Sequence, residues 1–116
     1  MNDQEQIDRD KALHWLEGDE KMFARIKMIF KKNVPSQVDQ LRRFLDADDN
    51  SSTELIAHTI MGSSAMLGAC NMSDRAKEIE RSAIQGDMDS ARLSFTGFFD
   101  EYEKVMAELT EEGGKL

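Results

Sequence analysis

The sequence is poor in everything that would mark a secreted, fibrous or membrane-spanning chain. It has one cysteine, Cys70, so an internal disulfide framework is excluded and a reducing, cytoplasmic setting is expected. No apolar run approaches the ~18 residues needed to cross a bilayer, so no membrane span is expected. The opening residues Met1 to Gln6 are polar and acidic, unlike a signal peptide. Basic residues are outnumbered 15 to 23, and the net charge of -8 argues against nucleic acid or an anionic membrane as partner. One proline, seven glycines and few β-branched runs point to an all-α chain. Histidine is scarce too. His14 and Glu17 stand in the reverse order from the bundle metal motif, with no second copy, so no metal site is expected.

What is present is ordinary globular composition, 40% hydrophobic and 33% charged over 116 residues. That length suits one domain, 1–116, able to bury roughly two-thirds of its unfolded surface. The initiating methionine and polar ends favour a free-standing protein.

Hydrophobic periodicity divides the chain into helices. Ile7 to Leu16 reads as a short first helix with Ile7, Leu13 and Leu16 along one edge and Trp15 covering a bundle end; Gly18 ends it and Asp19 caps the next. Glu20 to Leu45 carries Phe23, Ile26, Phe30, Val34, Val38, Leu41 and Leu45 at spacings of three or four. Pro35 lies inside that stripe, which predicts one bent helix or two nearly collinear ones meeting near Asn33. Ser51 to Glu54 matches a capping box and opens a third helix, about 52–70. Asn71 is the expected cap of a fourth, with Met72, Ala76, Ile79 and Ala83 inward. Gly86 stops it, and Asp87 caps a fifth helix lined by Met88, Ala91, Phe95, Phe98, Tyr102, Val105 and Leu109 that runs out at Gly113 and Gly114. The expected architecture is an antiparallel up-and-down four-helix bundle with a short additional N-terminal helix.

The third helix holds the unusual chemistry. Ile56, Ile60, Ser63, Ser64 and Leu67 form its buryable stripe, while His58 lies about 160° from Ile60 at 100° per residue and points to solvent. The face of His58 comprises Glu54, Met61, Gly62, Ala65 and Ala69, small residues on either side of an imidazole. A helix-interior glycine costs roughly 1 kcal/mol against alanine. Gly62 sits one turn beyond His58, where a Cβ is expected to crowd the ring, so it is accounted for if something must approach closely.

The run Ala57 to Ala69 resembles the signature A-H-x-L-K-G-S-S/A-x-x-L-G-A of the histidine-containing phosphotransfer (HPt) domains of multistep two-component signalling. Ile7-Asp8, Ala12-Leu13, Gly18-Asp19-Glu20, Phe30 and Pro35 fall where such domains have equivalents, and Ile79-Glu80 resembles their following L-E pair. The resemblance implies a phosphocarrier without catalytic machinery of its own. Nε2 of His58 would take a phosphoryl group from a receiver-domain aspartate, Nδ1 would lean on Glu80 or a backbone group, and a second receiver would later accept the group. Met61, Gly62, Ser63 and Ala65 would border the docking surface, with Met66 adding apolar contact. No cofactor of its own is implied; Mg²⁺ would come with the receiver. Response-regulator receiver domains or a hybrid sensor kinase are the implied partners of a cytoplasmic monomer. A free imidazole, with a pKa of about 6.5, is mostly unprotonated and nucleophilic near pH 7.

One position departs from the signature. Met61 stands where the family usually has lysine, with Lys77 and Arg81 on the next helix as candidate substitutes. Two other functions therefore stand beside the relay: an adaptor of the same fold that binds a receiver without transferring phosphate, and a helical interaction module unrelated to phosphate.

Overall fold

In the computed structural model, which describes residues 5–114, an aspartate opens four of the five helices. Asp8 precedes α1 (Arg9–Trp15), Asp19 precedes α2 (Glu20–Asp46), Asp49 precedes α3 (Asn50–Leu67) and Asp87 precedes α5 (Met88–Gly114). Each carboxylate accepts from the backbone N–H three residues on: Lys11, Met22, Ser52 and Ser90 at 3.0 to 3.1 Å. An anionic cap satisfies an orphan donor and also meets the positive end of the helix dipole. The Ser52 N–H and hydroxyl hold the Asp49 carboxyl below the usual aspartate range, and the Ser90 hydroxyl, 2.7 Å away, with the Ser90 N–H does the same for Asp87. Only α4 (Cys70–Ile84) begins without a side-chain cap.

Two of the expected helix starts are displaced, those of α3 and α4. The Ser51–Glu54 capping box does not start α3. Asp49 does so, its carbonyl accepting from both Thr53 N–H and the Thr53 hydroxyl, at 3.0 and 2.8 Å. The helix therefore begins at Asn50 and ends at Leu67. There Gly68 takes a left-handed φ of 85° and the Ala69 N–H bonds the Ser64 carbonyl at 2.9 Å. This closes the α3–α4 turn so tightly that buried Ala69, and not exposed Asn71, occupies the N-cap of α4.

Consecutive helices pack side by side and α5 returns against α2, closing a four-helix bundle. A 27-residue helix is about 40 Å long, and α2 and α5 span the 41 Å long axis of the molecule. α2 runs unbroken through Pro35. Its buried residues are Phe23, Phe30, Val34, Val38, Leu41 and Leu45, as the periodicity requires, with Ile26 half-buried against them. Phe98 of α5 is fully buried, and Arg42 covers the half-buried rings of Phe95 and Phe99 at 5.4 and 5.0 Å.

The segment around α1 closes one end of the bundle with Ile7, Leu13 and Leu16 against the core, as the sequence requires, but without Trp15. Ile7 and Ala12 are buried, but Trp15 is 63% exposed and touches only His14 edge-on among the described rings. The helix begins after Asp8, because the chain before it is tied down in extended form. Asp8 N–H donates to the Gly68 carbonyl at 2.8 Å, and the Glu108 carboxylate accepts from the N–H groups of Gln6 and Ile7. These bonds fasten the N-terminal segment to the α3–α4 turn and to α5.

Candidate functional site

The buried stripe of α3 is Thr53, Ala57, Ile60, Ser64 and Leu67, spaced four, three, four and three. It is rotated toward α4 relative to the expected stripe, since Ile56 and Ser63 are only half-buried and Thr53 and Ala57 take their places. Small Ala57 and Ser64 let α3 approach α4 closely. The stripe's opposite side carries His58, whose side chain is 62% exposed.

One ring nitrogen of His58 is held. Nδ1 donates to Oε2 of Glu80 on α4 at 2.8 Å, and the Glu80 side chain is only 17% exposed. An ionised carboxylate can only accept, so this contact selects the tautomer with the proton on Nδ1 and a lone pair on Nε2. Nε2 has no hydrogen-bond partner among the described residues. The result is an exposed nucleophilic nitrogen on a ring whose rotation is restrained from behind.

The register of α4 that delivers Glu80 is fixed by a second interhelical bond. The Ser73 hydroxyl donates to the Met61 carbonyl at 3.0 Å, and Ser73 and Glu80, seven apart, share one edge of α4. Ser73 was not identifiable from the sequence as part of the site, because nothing in the sequence aligns α4 against α3.

The surroundings of the ring are flat. Gly62 and Ala65 are exposed beside it, as is Glu54. A Cβ on Gly62 would meet nothing within 4 Å, which corrects the expectation that it would crowd the imidazole. Ala69 does not belong to this face; it is fully buried in the turn. Met61 is half-buried against the core, so it puts a thioether and not a charge one turn from His58. Ser63 lies about 140° around the helix from His58, on the opposite flank from Met61. Large apolar side chains flank the flat patch: Leu55 and Met66 on α3 are 70% and 50% exposed, and Ile84 on α4 is 58% exposed. Leu55 was visible in the sequence as a leucine about 60° from His58 on an otherwise small and polar face. Lys77 and Arg81 are exposed, and among the described residues neither forms an ion pair.

No group of three potential metal-ligating side chains occurs among the described residues, and no helix is long and apolar enough to cross a membrane.

The family model described as Hpt domain matches residues 25–112. Among solved structures, the chain is similar to histidine-containing phosphotransfer protein B from Pseudomonas aeruginosa PAO1, with a TM-score of 0.84, 22% identity and 96% of each chain covered. That likeness extends to the whole bundle, including α1, which the family match does not reach. Among curated proteins, none matches the chain significantly.

Proposed function

Because the chain belongs to the Hpt domain family, a family of phosphocarriers in two-component phosphorelays, we propose that His58 is its phosphoacceptor. On this reading it moves a phosphoryl group between receiver-domain aspartates. The observation that carries this is the His58–Glu80 pair: one imidazole nitrogen tethered at 2.8 Å, the other open to solvent beside Gly62 and Ala65.

The transfer follows from that geometry. The Nε2 lone pair attacks the phosphorus of an aspartyl phosphate, the P–O bond to the aspartate breaks, and the carboxylate leaves with the bonding electrons. The ring becomes positively charged as the N–P bond forms, and the Glu80 carboxylate against Nδ1–H stabilises that charge or takes the proton. Running the steps backwards on a second receiver returns the phosphoryl group to an aspartate. Such transfer depends on in-line approach and charge neutralisation. The flat face admits the receiver's acidic pocket with its Mg²⁺, and the exposed Leu55, Met66 and Ile84 offer apolar contact around it. The chain would act as a cytoplasmic monomer and needs no cofactor of its own.

The half-buried Met61 favours one second reading, an adaptor that docks on a receiver without accepting phosphate. One experiment separates the two. The protein is incubated with a receiver domain phosphorylated on aspartate, and acid-labile, base-stable label is measured in wild type and His58→Gln. Label that disappears in His58→Gln supports transfer, whereas receiver binding without label supports the adaptor.

A further inference from the structure

The phosphoryl group on His58 would place about two negative charges near the Glu80 carboxylate, on a chain that already carries a net charge of -8. Met61, one turn along α3, offers no cation. Resting on the assignment of His58 as phosphoacceptor, we propose that Lys77, reaching across from α4, is the residue that neutralises the transferred phosphoryl group.

The register of α4 places it there. Ser73 is bonded to Met61 and Glu80 to His58, at 3.0 and 2.8 Å, so these two contacts fix the edge of α4 against α3 at two levels. Lys77 lies between them, four residues after Ser73 and three before Glu80. On the helix wheel it is about 60° from Glu80, away from the inward-facing Ala76, Ile79 and Ala83 and toward solvent. Its backbone is therefore level with the stretch from His58 to Met61. A lysine side chain extends about 6 Å, and helices packed through small residues lie about 8 Å apart, so its ammonium can reach oxygens on Nε2 of His58. No ion pair among the described residues holds Lys77 elsewhere. Arg81 is less well placed, about 100° from Glu80 on the wheel and so turned further from the α3 edge. Asp74, Arg75, Glu78, Glu80 and Arg81 are the charged residues of α4 within one turn of Lys77.

In this role Lys77 stays protonated and donates hydrogen bonds to phosphoryl oxygens; it makes and breaks no covalent bond. Phosphoramidate tests it without a partner. Nε2 attacks phosphorus, the P–N bond of the reagent breaks, ammonia leaves, and the N-phosphoryl signal of His58 is followed by ³¹P NMR. Lys77→Ala is expected to slow loading about tenfold, the effect of removing one partly screened charge contact, and to raise the pH at which the phosphoryl group titrates. Lys77→Arg should keep both properties near wild type. Met61→Lys should change little by itself but restore loading to Lys77→Ala, because either side chain would bring a cation to the same oxygens.

Lys77→Ala with wild-type loading, or with slower loading but an unmoved ³¹P titration, overturns the assignment of Lys77 and leaves His58 intact. A wild-type protein that gains no His58 phosphoryl signal overturns the relay reading and the role of Lys77 with it.

Discussion

Nδ1 of His58 and Oε2 of Glu80 are 2.8 Å apart across the α3–α4 interface, with the carboxylate four-fifths covered and the imidazole largely open. The covered partner is fixed by packing, so the exposed ring inherits its orientation. Glu80→Gln keeps the shape but replaces a charged acceptor by an amide that can present either oxygen or nitrogen to Nδ1. Phosphoryl transfer in that variant should fall about tenfold, the rate equivalent of one charge-assisted hydrogen bond. Long-range ¹⁵N spectra should show His58 losing its preference for the Nδ1–H form. Wild-type rates with an unchanged tautomer would remove Glu80 from the mechanism.

Gly62 separates stability from access. A Cβ there meets nothing within 4 Å, so Gly62→Ala should raise the unfolding free energy by up to about 1 kcal/mol through helix propensity. Gly62→Gln should leave helicity unchanged and block label uptake from a phosphorylated receiver. Urea denaturation and the transfer assay together check both halves, and normal uptake in Gly62→Gln would show that the glycine is not needed for docking.

Gly68 should behave oppositely. Its φ of 85° is strained for any L side chain, and an added Cβ would collide with the Asp8 carbonyl oxygen, which belongs to the backbone and cannot rotate away. Gly68→Ala should therefore cost about 2 kcal/mol or more. A drop confined to the thermal midpoint, with His58 still loadable at low temperature, is the expected pattern.

The caps give the protein an acid limit. The carboxyls of Asp49 and Asp87 are held below their ordinary value in the fold by their bonds to Ser52 and Ser90. A depressed folded-state pKa means the unfolded chain binds protons first as pH falls. The stabilisation is thus complete above about pH 5 and is lost progressively below it, as the folded-state carboxyls themselves protonate. Urea midpoints measured from pH 7 to pH 2 should decline through this window, and less steeply in Asp49→Asn/Asp87→Asn, whose caps do not titrate.

Much of this molecule was determined locally. Helix periodicity alone put Phe30, Leu41, Ile79 and Phe98 inside and His58 outside, because at 3.6 residues per turn a side chain opposite the buried stripe has nowhere to go but solvent. Asp19 and Asp87 were readable as caps, since capping is a contact between residues three apart. The exposed Trp15, the cap at Asp49 in place of Ser51, and buried Ala69 in the place assigned to Asn71 depended on how neighbouring segments compete for the same turn or the same bundle end. The rest belongs to the tertiary structure. Only the packing of α4 on α3, through Ser73 on Met61 and Glu80 on His58, selects which ring nitrogen is free. A sequence states spacing along each helix, but the sliding position of one helix against another is set by side-chain shape at their shared face, and that register is what turns an exposed histidine into an oriented one.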